Sequence, residues 1–255
     1  MRTFDEMIRS SYDFNADDYF ADKRWAILER MYLKNYAIAL DHYTDPIPKI
    51  IHQIWLGSEV PEKLTAWRES WQKFNPDWEC HLWEDGSEKI ILDSNRLDIF
   101  YSITNMGQRS DFLRYHILNH FGGIYVDTDF ECLKSFDTLS YLSFFTGVGY
   151  PRRPELYIGL IASIPHHPII ENIVSSMTEI RQGGWKDIFE TTGSYFFTRK
   201  FFETVGEYMQ GVVAFPFPFF YPFPNQAGHE KKNGLDYIQE ESYAVHHWDV
   251  SWRSK

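Results

Sequence analysis

Only two cysteines occur in 255 residues, Cys80 and Cys132, far apart and outside any CxxC spacing. That pattern gives no disulfide framework and no thiolate zinc site, and it fits a reducing compartment. No apolar run reaches the ~20 residues that a membrane span requires. The opening MRTFDEMIRSSYDFNADD is acidic and interrupted, without the apolar stretch of a signal peptide. The expectation is a soluble, cytoplasmic chain. Basic residues are also in deficit: 25 Lys and Arg stand against 36 Asp and Glu, a formal charge of −11. A surface of that sign argues against nucleic acid as a partner, because phosphate backbones are met by Lys and Arg. Neither GxxxxGK[ST] nor GxGxxG is present, so a phosphate-bearing ligand would have to be held by something other than a glycine-rich loop.

Aromatic residues are abundant, 18% of the chain with nine Trp. They serve as large core fillers, and their faces also stack on sugars and bases. The length suits one large α/β domain with an N-terminal extension. Residues 1 to about 45 place Trp25, Leu28, Tyr32, Tyr36 and Ala39 at helical spacing, which predicts two helices. Asp45-Pro46-Ile47-Pro48 breaks that pattern, and the domain boundary falls there, giving a helical segment 1–46 and a catalytic domain 47–255.

Lys49 to Leu56 is a short β-branched run between Pro48 and Gly57, the pattern of a buried parallel strand. A helix from Pro61 to about Phe74 and a strand from Trp78 to Trp83 follow, the start of a β-α-β array. Ser110 reads as the N-cap of a helix to Phe121, with Leu113, Ile117 and Phe121 as its buried stripe and Gly122 as its C-terminal stop. Strands are expected at Leu142–Val148 and Leu156–Ala162, and helices from Pro168 to about Arg181 and from Ser194 to Met209. Four prolines between Ala214 and Pro224 predict an extended aromatic loop there. For that loop a structural role is preferred to membrane contact. A last strand spans Tyr243 to Trp248.

The chemistry concentrates in Gly122-Gly123-Ile124-Tyr125-Val126-Asp127-Thr128-Asp129-Phe130. The apolar run reads as a buried strand ending in two carboxylates one residue apart, and successive strand side chains point to opposite faces, so Asp127 and Asp129 share a face. At 4 Å two carboxylates repel by ~4 kcal/mol at an effective dielectric near 20, a cost that a bound Mg²⁺ or Mn²⁺ relieves. His246 could add a ligand, or could equally be a core histidine satisfied by backbone. Asp111 and Arg114, three residues apart on a helix, share a face. A cation so held can grip a pyrophosphate and neutralise a departing diphosphate, which points to glycosyl transfer. The rivals are a metal-dependent phosphohydrolase, which would need a second acidic cluster, and a sugar-binding module built on aromatic faces.

The ordered set IPKIIHQIWLG (47–57), NPDWE (75–79), SDFLRY (110–115), GGIYVDTDF (122–130) and AVHHW with SW (244–252) resembles the DXD-containing glycosyltransferases of family 32, over roughly residues 47–252. The resemblance implies a GT-A fold, a Rossmann-like α/β sandwich, here with an N-terminal helical extension. It also implies Mn²⁺ or Mg²⁺, a nucleoside-diphosphate sugar as donor (a UDP-sugar ahead of a GDP-sugar) and a glycan or lipid-linked acceptor, with retention at the anomeric carbon. By the same resemblance Trp55, flanked by Ile54 and Leu56, stacks on the donor base. Asp111 and Arg114 hold the donor sugar and phosphate, Asp127 faces ribose and sugar and joins the metal set, Asp129 binds metal directly, and His246 is preferred to His247 as the metal-side histidine. Ser251 and Trp252 match a tail that closes over the diphosphate. Cell-surface polysaccharide synthesis, with peripheral contact at the inner membrane face, is the expected setting, and transfer to a protein target is the alternative. Thr192-Gly193-Ser194 departs from the family's Thr-Gly-Pro, and Leu156-Tyr157-Ile158 stands where relatives carry an asparagine.

Overall fold

A computed structural model describes residues 2–11, 14–37, 46–149, 153–178, 180–181, 183–225 and 233–249. The N-terminal part folds as α1 (Phe4–Arg9), α2 (Ala16–Ala21) and α3 (Arg24–Tyr32), closed by a π turn over Leu33–Ala37. These are three short helices rather than the two expected. Local caps divide them: Thr3 and Glu6 form a reciprocal capping box on α1, and the Asn15 side chain caps α2, so each helix restarts where a side chain satisfies free N–H groups. Phe4, Leu28, Met31 and Tyr32 join the main core, where the Tyr32 ring meets Phe215 and Phe219 edge-on.

The rest of the chain begins with β1 (Ile50–Ile54), then α4 (Thr65–Phe74) after a short 3₁₀ turn, β2 (Glu79–Trp83), α5 (Glu88–Ile91), α6 (Ser94–Ser102) and α7 (Met106–Phe121). The chain continues into β3 (Gly123–Val126), β4 (Phe130–Cys132), β5 (Phe144–Val148) and β6 (Leu156–Ser163). It finishes with α8 (Pro168–Ser176), α9 (Trp185–Thr191), α10 (Ser194–Val205), β7 (Val212–Phe215) and β8 (Ala244–His246). The main sheet has the order β2-β1-β3-β6-β5-β7, parallel from β2 through β3 and between β5 and β7, antiparallel on both sides of β6. A second ribbon pairs β4 with β8, setting Phe130 opposite His246.

The chain leaves β1 toward β2 on one side and returns to β3 on the other, so the order reverses between β1 and β3. In open α/β sheets the crevice beyond the carboxyl ends of strands at such a reversal is where ligands bind. Trp55 follows β1 and Asp127 follows β3, which puts both at that crevice.

Several expectations change in detail. Ser110 does not cap α7; Asn105 does, accepting from the Gln108 N–H, so the helix starts five residues earlier. Its buried surface is also wider than one stripe, since residues 111–118 are all buried, Asp111, Arg114 and His116 among them. α8 stops at Ser176, short of Arg181, and α10 stops at Val205, where Gly206 takes φ +56°. α5, α6 and α9 were not anticipated. Ala214 and Phe215 belong to β7, and the prolines act only after it. The Phe217–Phe223 stretch that follows is buried in the core, in keeping with the structural role expected of it. No helix among the described residues is long and apolar enough to cross a membrane.

Candidate active site

Gly122 and Gly123 aim the acidic motif. Both take positive φ, +64° and +86°, where a β-carbon is strained. A β-carbon on Gly123 would also lie 2.5 Å from the Ile50 carbonyl, and one on Gly122 2.7 Å from the Pro165 ring. The chain therefore turns from α7 into β3 with no room for a side chain. His52 locks the same corner: its Nε2–H donates to Gly122 O at 3.0 Å, and its Nδ1 accepts from the Trp83 indole at 3.1 Å. Burial pushes the His52 pKa down to about 4, which keeps the ring neutral in the tautomer both bonds require.

β3 ends at Val126, and Asp127–Asp129 is a turn closed by Phe130 N–H donating to Asp127 O at 3.1 Å. The shared-face expectation therefore fails as strand geometry. The two carboxylates converge instead because the turn folds back into β4. There β8 brings His246 to Asp129, Nε2 to Oδ1 at 2.9 Å. One ligand atom from each of Asp127, Asp129 and His246 lies within 4.8 Å of the others. His246 is stacked on Phe130 at 4.4 Å, and its Nδ1 is buried without a partner. Two carboxylates and an imidazole suit Mn²⁺ or Mg²⁺ in hardness and charge, so the residues fit the expected cation.

Beside this cluster Arg114 is the hub. Its Nη2 is 2.8 Å from Asp111 Oδ1, its Nη1 is 3.2 Å from Asp127 Oδ1 and donates to Ile158 O at 2.7 Å, and the guanidinium sits 4.3 Å over the Tyr125 ring. Its Nε is buried without a partner. The Tyr125 hydroxyl donates to Asp127 Oδ1 at 2.7 Å, and the Thr192 hydroxyl donates to Asp111 Oδ2 at 2.9 Å. Burial raises the Asp111 pKa to about 6 against the opposing pull of Arg114. Burial likewise raises that of Asp127, with Arg114 opposing and the Asp129 charge adding. A paired, hydrogen-bonded cluster of this kind at a crevice is the arrangement of a binding site rather than of a surface ion pair.

Trp55 is half-buried, and its indole N–H reaches Ser58 Oγ at 3.2 Å and Glu59 O at 3.1 Å. Ile54 is buried and Leu56 half-buried beside it. Ser251 and Trp252 lie outside the described residues. Several participants were missed in the sequence, Tyr125 and Thr192 among them. Trp248 occupies the left-handed region at φ +57°, held by its indole donating to Phe223 O at 2.7 Å. That bend turns the Asp249 N–H onto Asp129 Oδ2 at 2.8 Å, and Lys63 Nζ meets Asp249 Oδ2 at 2.5 Å. His247 is paired with Glu131 at 3.0 Å and stacked on Trp67 at 4.2 Å, so it braces β8 against α4 while His246 faces the acidic pair. Nothing in the local sequence marks Lys63, Trp67 or Glu131 for these positions.

Residues 61–144 match the family described as "Glycosyltransferase sugar-binding region containing DXD motif". Among curated relatives, "Inositol phosphoceramide mannosyltransferase 2" of Schizosaccharomyces pombe is 34% identical over 148 residues, 54% of this chain and 41% of that protein. "Uncharacterized glycosyltransferase L373" of Acanthamoeba polyphaga mimivirus is 33% identical over 170 residues, 64% of this chain and 66% of that one. The chain thus spans less than half of the fission-yeast relative. Among solved structures, "PaToxG Glycosyltransferase" superposes with a TM-score of 0.53 at 22% identity, covering 73% of this chain and 79% of that one. This likeness shows the GT-A fold.

Proposed function

The chain belongs to the DXD-containing sugar-binding glycosyltransferases, and on that premise we propose that it moves a hexose or N-acetylhexosamine from a nucleoside diphosphate to an acceptor hydroxyl, metal-dependently and with retention. The observation that carries this reading is the meeting of Asp127, Asp129 and His246 within 4.8 Å, beside the buried Arg114–Asp111 pair and at the crevice between β1 and β3.

In this reading Trp55, at the mouth of β1, offers its face to the donor base. Arg114, pinned by Asp111 and over Tyr125, sets the sugar and its adjoining phosphate against Asp127. A divalent cation bound by Asp129, Asp127 and His246 would supply charge stabilisation to the leaving diphosphate. Retention is supported by the commitments of the carboxylates: Asp111 and Asp127 to Arg114, and Asp129 to His246 and the Asp249 N–H. A same-face displacement, in which the departing diphosphate takes the acceptor proton, asks none of them to act as nucleophile. The proposed acceptor is a glycan or lipid-linked glycan, in cell-surface polysaccharide synthesis; the fission-yeast relative is named for mannosyl transfer to inositol phosphoceramide, a lipid acceptor.

The test is a thermal-shift screen of UDP- and GDP-sugars with and without Mn²⁺, followed by assay of donor hydrolysis. A nucleotide sugar that raises Tm only with Mn²⁺ and is slowly hydrolysed supports the proposal. Absence of any nucleotide effect, alongside glycan binding insensitive to EDTA, would overturn it in favour of a sugar-binding module.

A further inference from the structure

A cleft of about 520 Å³ opens between one face of α10, the residues leading into β6 and the start of α3. Its volume lies in the range of small-molecule sites. Along α10 it is lined by Tyr195, Arg199 and Phe202, which recur at helical spacing, and opposite them stand Arg153, Glu155 and Arg24. Two guanidinium groups lie over rings, Arg153 over Tyr195 at 4.4 Å and Arg24 over Phe202 at 5.4 Å. Stacking fixes a guanidinium plane and leaves its N–H edge available for hydrogen bonding.

Each cleft arginine faces a carboxylate: Arg24 is engaged with Asp22 at 2.6 Å, Arg153 faces Glu155 at 3.6 Å and Arg199 faces Glu203 at 3.8 Å, while Lys200 holds Glu203 at 2.8 Å. The Arg153 and Arg199 contacts are longer than a hydrogen bond. A cleft whose arginines each already face a carboxylate does not select a polyanion. Loose pairs of donor and acceptor do select a group that is both at once, and a sugar hydroxyl donates and accepts through one oxygen.

The cleft is joined to the active site by a single turn. The Thr192 hydroxyl donates to Asp111 in the active site, while the Ser194 hydroxyl donates to Glu155 Oε1 in the cleft at 2.6 Å. β6 makes the same link: Asp127 N–H donates to Gly159 O, Arg114 donates to Ile158 O, and the strand then runs toward Glu155. At a strand rise of about 3.3 Å per residue, Ile158 to Glu155 spans roughly 10 Å, about the length of two linked sugar rings.

We propose that this cleft is the acceptor subsite, holding an uncharged sugar of the acceptor glycan one or two units from the hydroxyl that is glycosylated. The proposal rests on the transferase reading above. Its test uses the full chain with a panel of methyl glycosides of mannose, galactose, glucose and N-acetylglucosamine, read by saturation-transfer NMR. Arg153→Ala, Tyr195→Ala and Arg199→Ala change partly exposed side chains. The expected result is binding of at least one glycoside by the wild type, weakened tenfold or more in these variants. Donor hydrolysis and stabilisation by nucleotide sugar with Mn²⁺ stay unchanged in the same variants. Equal glycoside binding by wild type and variants, or no glycoside binding by a wild type that binds donor, overturns the acceptor assignment. Failure of the wild type to bind donor overturns the transferase reading and the acceptor role with it.

Discussion

His246 Nε2 lies 2.9 Å from Asp129 Oδ1 across 117 residues of sequence, both side chains nearly buried. The bond exists because β8 pairs with β4 and sets His246 opposite Phe130, the residue after Asp129. Asp129 is also held by the Asp249 N–H on its other oxygen, so its carboxylate is oriented from both sides before any ligand arrives.

Asp129→Asn keeps the shape of that side chain and removes its charge. In the wild type, Mn²⁺ at a hundredfold its Kd should add about 2.7 kcal/mol of stability by mass action, and EDTA should reverse the effect. In the variant the Mn²⁺ shift and donor turnover should both vanish while the protein remains folded. A Mn²⁺ shift of wild-type size in Asp129→Asn would remove Asp129 from the metal set.

Arg114→Met should be severe. Arg114 is 5% exposed and neutralises Asp111 and Asp127 together, and stripping one member from a buried charge cluster costs about 3–5 kcal/mol. Urea unfolding measures the loss. Arg114→Lys retains the charge but not the planar fork, so it should recover part of the stability and little of the turnover. Full turnover in the lysine variant would contradict a positioning role.

Gly123→Ala is expected to destabilise by at least about 2 kcal/mol, from the positive φ and the clash with the Ile50 carbonyl together. Because the strain sits at the entry to β3, the surviving folded fraction should also bind Mn²⁺ less well. Unfolding at wild-type denaturant concentration would show that the corner relaxes.

His52 predicts a pH effect. Burial lowers its pKa from 6.5 to about 4. Between those values the unfolded chain binds the extra proton, so stability falls as pH drops from about 6.5 toward 4. At pH 5 this amounts to about 2 kcal/mol. His52→Asn costs stability at pH 7, where the hydrogen bonds to Gly122 and Trp83 are lost, but it carries no such titration. The stability gap between wild type and variant should therefore narrow by about 2 kcal/mol from pH 7 to pH 5, read by urea unfolding at each pH. A gap independent of pH would show that His52 titrates normally.

Much of the fold could be read locally. The β-branched run at Ile50–Ile54 and the strands near Phe144–Val148 and Leu156–Ser163 fall where their composition put them, because burial on both faces leaves a continuous apolar signature. Gly122 stops α7 as expected. Helix ends were less legible: α7 begins at Asn105 because that side chain finds the Gln108 N–H, and Asn105 and Ser110 compete as caps on equal terms in one dimension. The short α5 and α9 carry too few turns to show a period.

The sequence by itself determined that an acidic pair follows a buried strand, and that Asp111 and Arg114 share a helical face upstream of it. Those are relations among residues a few positions apart, where backbone geometry alone fixes the outcome. Only the tertiary structure decided that Asp127 and Asp129 converge through a turn, that Arg114 bridges Asp111 to Asp127, and that His246 and the Asp249 N–H grip one carboxylate. These depend on strand pairing and on a bend at Trp248 held by a distant carbonyl, contacts set by packing of the whole chain that no local pattern encodes.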